Sequence, residues 1–139
     1  VYAPDVLRRT ALLVLVVVGV FAGAAKLSGD PAEDGVRGMP GVTRAAIHEH
    51  EEMADKAFIA AAIVGIFSIL VLARSRRTTV SQTSFVVSLA GSVVVSALMG
   101  YTGLLGGQVR HTEVRPNATA ADAIAIEPPR APRPPRTTP

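Results

Sequence analysis

The feature that most restricts this chain is a run from Thr78 to Gln108 that stays uncharged for more than thirty residues. A soluble fold rarely supplies such a stretch, whereas about twenty apolar residues cross the roughly 30 Å hydrocarbon layer as a helix. Two shorter runs accompany it. Ala57–Ala73 (AFIAAAIVGIFSILVLA) is seventeen uncharged residues between Lys56 and Arg74. Ala11–Ala25 (ALLVLVVVGVFAGAA) is fifteen residues, about 22 Å as a helix, and reaches a full span when extended into Val6, Leu7 and Leu27. Arg8, Arg9 and Lys26 then have to snorkel. Lipid offers backbone groups no partners, so spanning segments close their own hydrogen bonds as helices. The sequence therefore predicts an all-α membrane protein with three transmembrane helices, an acidic outer loop and helix, and an extended Pro/Arg-rich carboxyl tail. The expected limits are an N-terminal end at 1–5, spans at 6–28, 55–74 and 80–105, an outer acidic connection at 29–54, a turn at 75–79 and the tail at 106–139.

Composition agrees, with 49% hydrophobic, 18% charged and 4% aromatic residues. The absence of cysteine excludes disulfides, thiolate metal sites, iron–sulfur clusters and attached c-type haem in these residues. The formal charge of +3 is spread along the chain rather than gathered in one patch, so nucleic acid is not an expected partner. Arg8-Arg9 before an apolar core ending in Ala22-Gly23-Ala24 also describes a secretory signal. We expect a retained helix instead. Arg8, Arg9, Arg74, Arg76 and Arg77 place the amino end and the second connection in the cytoplasm by the positive-inside rule. The connection from Asp30 to Asp55 has seven acids against two arginines and falls outside, together with the tail. The expected setting is a bacterial inner membrane, with the amino terminus cytoplasmic and the carboxyl terminus periplasmic.

Helices associate in lipid where small residues let backbones approach. Ser84, Ser88, Ser92, Ser96 and Gly100 recur every four residues on the third span, with Ala57, Ala61 and Gly65 on the second and Gly19 and Gly23 on the first. They are the expected packing faces, within the bundle and toward other membrane subunits or lipids, with serines able to bond across helices. No span has an ionisable residue at its centre, as proton relays usually do. Gly29-Asp30-Pro31 is expected to end the first helix, and Gly35, Gly38, Pro40 and Gly41 to keep the next stretch irregular. Thr43 is a candidate N-cap for a surface helix leading into the second span. Gly103-Leu104-Leu105-Gly106-Gly107 is expected to end the third.

Six prolines among the last twelve residues give the tail an extended character and no core of its own. Arg115, Arg130, Arg133 and Arg136 are the residues expected to hold it on an acidic neighbouring surface. The three histidines, His48, His50 and His111, fall on the same expected outer face. His48 and His50 point to opposite sides of a helix, so the allowed groupings are His48 with Glu51 or Glu52, and His50 with His111. Such imidazole and carboxylate groups can ligate a metal, and an axial imidazole can hold haem. HEHEE lacks the spacing of the HExxH zinc proteases, and there is no GxSxG, P-loop or strand-linked GxGxxG. We expect no catalytic residue and no cofactor in this chain, with metal or haem as the alternative.

TGLLGGQVRHTEVR, residues 102–115, resembles the TGxxGGxxRHxE segment at the outer end of the last helix in small, uncharacterised bacterial membrane proteins. The resemblance covers about a tenth of the chain. It implies an integral bacterial membrane protein, marks Gly106, Gly107, Arg110, His111 and Glu113, and carries no established activity. Arg110 and Glu113 are spaced to pair along a turn, and His111 to reach Glu49 or Glu52. The expected function is a non-catalytic accessory subunit of a respiratory or photosynthetic membrane complex. The competing expectation is a small metal- or haem-binding redox module using the histidines.

Overall fold

A computed structural model describes residues 2–36, 39 and 41–118. Three helices account for nearly all of it: α1 (Tyr2–Val36), α2 (Arg44–Arg74) and α3 (Gln82–Arg110), followed by a 3-10 turn at Thr112–Val114. All three are long and apolar enough to cross a membrane. The elements occur in the chain order α1, α2, α3, and α2 lies in the middle, against both neighbours, while α1 and α3 scarcely meet.

Local chemistry sets most helix ends. Thr43 is extended, and its hydroxyl accepts from the Ala46 amide at 3.2 Å, starting α2 as an N-cap does. Ser81 does the same for α3, accepting from the Ser84 amide at 3.1 Å. Two expected stops are overturned. α1 continues through Gly29-Asp30-Pro31 to Val36, and α3 continues through Gly103–Gly107 to Arg110. A proline inside a helix removes one hydrogen bond, here to the Leu27 carbonyl, and glycine costs only about 1 kcal/mol against alanine. Neither is an absolute stop once a long helix is nucleated on both sides. The turn before α2 uses Gly41 at φ 77°, a conformation that favours glycine.

The interior is thin. Near one end Leu12, Val71 and Val80 are buried among Phe67, Leu72 and Phe85. Further along, Ala22, Ala61 and Val95 are buried among Val18, Phe58 and Val64. Between α1 and α2 the backbones themselves touch: a Cβ on Gly19 would lie 3.3 Å from the Ala61 carbonyl oxygen, and one on Gly65 would lie 3.5 Å from Gly19 Cα. This close approach yields dispersion contacts that larger side chains would prevent.

On α3 the inward face runs through Ser88, Gly91 and Val95. Ser88 and Val95 are buried, and a Cβ on Gly91 would meet Val64 Cγ2 at 2.7 Å. The four-residue stripe drifts off that face. Ser84 and Ser92 are half-buried, Ser96 and Gly100 are exposed, and a Cβ on Gly100 would meet nothing within 4 Å. Gly23 lies opposite Phe58, at 3.8 Å for its added Cβ. The buried serines bond their own helix rather than its neighbour: Ser68 donates to the Val64 carbonyl at 2.8 Å, and Ser88 to that of Ser84 at 3.0 Å. The nearest acceptor to a helical serine hydroxyl is its own preceding turn, and this satisfies it locally.

Candidate ligand cavity at the histidine end

The two ends of the bundle are built differently. At the arginine end, a charged clamp ties the start of α1 to the connection between α2 and α3. Arg9 Nη2 donates to the Ser75 and Thr78 carbonyls at 2.7 and 2.5 Å, and its Nε donates to Asp5 Oδ2 at 2.7 Å. Asp5 Oδ1 accepts from the Val80 amide at 2.8 Å. Arg8 donates to the Val80 carbonyl at 3.1 Å and to Gln82 Oε1, while its guanidinium lies 5.7 Å from the Phe85 ring centre. These arginines do more than snorkel. They satisfy carbonyls at a helix end and in a tight turn, which a planar fork of donors does well.

At the other end nothing comparable joins α1 to α3 among the described residues, and a cavity of about 410 Å³ opens among the three helices. Its walls are apolar, from Ala22, Ala25, Ala54, Ala57, Met99 and Val109, and its polar groups are Lys26, His50, Glu51 and Thr102. His50 is half-buried, and its Nδ1 lies 3.0 Å from the Thr102 carbonyl oxygen. A carbonyl only accepts, so Nδ1 carries the hydrogen, and in the neutral ring Nε2 is a bare acceptor. Gly106 makes room for this ring: a Cβ there would lie 3.0 Å from His50 Cε1 and 3.3 Å from Nδ1. Lys26 of α1 lies 2.6 Å from Asp55 Oδ1 of α2, linking the helices beside the cavity. That oxygen receives no well-angled hydrogen bond among the described residues, so the contact is one of charge. Thr102 Oγ1 is likewise buried without a hydrogen-bond partner among them.

The three histidines have different surroundings. His48 is exposed, whereas His111 pairs with Glu113 Oε1 at 2.8 Å. No three His, Asp or Glu side chains are grouped to hold a metal among the described residues. The residues marked by the resemblance have separate tasks. Gly106 seats His50, the Gly107 carbonyl accepts from the His111 amide at 2.9 Å, and Arg110 reaches Met39 Sδ at 3.1 Å. Glu113 takes His111 in place of the expected Arg110, because the chain leaves the helix at His111. Its carboxyl is held below the usual range, first by its own backbone hydrogen bond and then by His111.

Arg115 is used inside the chain. Its Nε donates to the Gln108 carbonyl at 2.9 Å and its Nη2 to that of Gly41 at 2.9 Å, fastening the end of α3 to the turn before α2. Those carbonyls are acceptors at a helix end and in a turn, which helical hydrogen bonding leaves open. Arg130, Arg133 and Arg136 lie outside the described residues, as does the tail beyond 118 that the sequence leads us to expect as extended. Sequence reasoning missed the Arg8–Arg9–Asp5 clamp, the Lys26–Asp55 pair, Gly91 and the seating of His50 on Gly106. Two of these carried a signal: Ser88, Gly91 and Val95 share a helical face at spacings of three and four, and Asp5 and Arg9 are an acid and a base four residues apart. Compared with protein families, curated proteins and solved structures, the chain matches none.

Proposed function

We propose that this chain is a non-catalytic accessory subunit of a bacterial energy-transducing membrane complex, respiratory or photosynthetic, that stabilises assembly through its helix faces and its tail. It sits in the cytoplasmic membrane with the amino terminus inside and the carboxyl terminus outside. The observation that carries this reading is the outward surface of α3. Ser96, Gly100 and Gly103 are exposed there, and an added Cβ at either glycine meets nothing within 4 Å. The same kind of small residue makes the intimate crossing of Gly19 and Gly65 inside the bundle. Small residues facing lipid contribute little, whereas against another helix they permit backbone contact. The proline- and arginine-rich residues 128–139 add a segment suited to lie extended on an acidic neighbour.

Solubilisation in a mild detergent, native electrophoresis and mass spectrometry of the band holding this chain test the reading. Migration with a larger assembly, lost on Gly100→Leu or on deletion of residues 116–139 while membrane insertion persists, is the expected result. Migration alone near 14.4 kDa plus detergent overturns it.

A further inference from the structure

We propose that the cavity at the histidine end binds a membrane-soluble amphiphile with a hydroquinone-type head, a flat ring bearing a hydroxyl donor, on a long hydrocarbon chain. Because α1 and α3 scarcely meet, an apolar groove of about 500 Å³ lies along α1 from Thr10 to Ala25. It shares Ala22, Ala25 and Met99 with the cavity of about 410 Å³, so the two lie side by side along α1. A head in the cavity thus has a lined path for its chain toward the bilayer interior.

The head chemistry follows from the polar groups present. Ligand sites combine apolar walls with a few fixed polar groups that select orientation, and here the apolar side chains of the walls are alanine, valine, isoleucine and methionine. Such walls suit the faces of a ring better than a polyol, whose hydroxyls would be left without partners. A phosphate head is disfavoured, since Lys26 is paired with Asp55 and Glu51 adds a negative charge. His50 then discriminates between ring types. With Nδ1 donating to the Thr102 carbonyl, Nε2 is an acceptor whenever it carries no proton, a partner for a ring hydroxyl and not for a quinone carbonyl, which can only accept. The proposal concerns binding alone, and it holds for the isolated chain whether or not the chain belongs to a complex.

The test uses the full chain in phosphatidylcholine nanodiscs, with decylhydroquinone and decylquinone as probes under anaerobic conditions and empty nanodiscs as the blank. The expected result is saturable binding of one hydroquinone per chain, about tenfold tighter than the quinone, the size of one lost hydrogen bond to a buried acceptor. His50→Leu should remove that preference. Ala25→Phe leaves His50 in place and adds bulk at an exposed position where cavity and groove meet, so it should abolish saturable binding of both probes with helicity unchanged. Equal affinity for the two probes, uptake no greater than in empty nanodiscs, or binding indifferent to Ala25→Phe overturns the proposal. A haem Soret band in the chain as isolated from membranes overturns it too, because haem would then be the occupant.

Discussion

Replacing Gly91 by alanine places a methyl carbon 2.7 Å from Val64 Cγ2, closer than carbon atoms approach without displacement. Val64 has little room to yield, because β-branched side chains in helices hold about 90% to one χ1 rotamer. Overpacking of this kind costs about 1–3 kcal/mol, while alanine regains up to about 1 kcal/mol of helix propensity over glycine. Gly91→Ala should therefore be destabilised by about 0–2 kcal/mol overall. Gly103→Ala isolates the propensity gain, since a Cβ there meets nothing within 4 Å. The difference between the two variants is then the steric cost alone, about 1–3 kcal/mol. Val64→Ala removes the obstructing methyl groups, so the double variant Gly91→Ala/Val64→Ala should recover about 1–2 kcal/mol relative to additivity, within the range of contacting pairs. SDS titration of helicity in mixed micelles measures the parent chain and all four variants. Equal stabilities for Gly91→Ala and Gly103→Ala, or a strictly additive cycle, would refute the close approach of α3 to α2.

At the arginine end, Arg9→Ala should lower stability by about 1.5–3 kcal/mol, the usual range for hydrogen bonds to a charged group. Arg9→Lys should restore little of it, since one ammonium cannot bridge the Ser75 and Thr78 carbonyls and Asp5 in the same geometry; full restoration would refute the fork. Glu113 should titrate below 4.5 in an NMR pH series, and His111→Asn should raise its midpoint. Its folded pKa is lowered, so its small contribution to stability is present above the unfolded value and disappears as pH falls through the folded one. A midpoint at or above 4.5 would contradict the His111 contact.

The spans are legible in the sequence because a bilayer imposes a one-dimensional requirement: enough consecutive apolar residues for its thickness. Thr43 is legible for a similar reason, since its cap acts three residues away. The Gly103–Gly107 stretch misleads because a glycine costs a helix only about 1 kcal/mol, whereas Pro31, at about 3 kcal/mol in a helix interior, is carried by α1 despite a substantial local penalty. The features that distinguish the two ends depend on residues far apart in sequence. Arg8 meets Val80, His50 meets Thr102, and Lys26 meets Asp55, and nothing in the local spelling of either partner announces the other. The drift of the serine stripe off the contact face is a matter of helix phase. Ser88 and Ser96 are eight residues apart, yet only Ser88 is buried.

The clamp at the arginine end also orders the birth of the fold. Arg8 finds its carbonyl at a separation of 72 residues, so at 5–20 residues per second about 4–14 s of synthesis separate the emergence of the two partners. Arg9 has Asp5 in its own helix from the start. Its bonds across the bundle wait for Ser75 and Thr78, and that of Arg8 waits for Val80. The two side chains thus belong to the closing contacts of the bundle, and a nascent chain stalled before residue 80 lacks the Val80 bonds that latch the first helix to the start of the third.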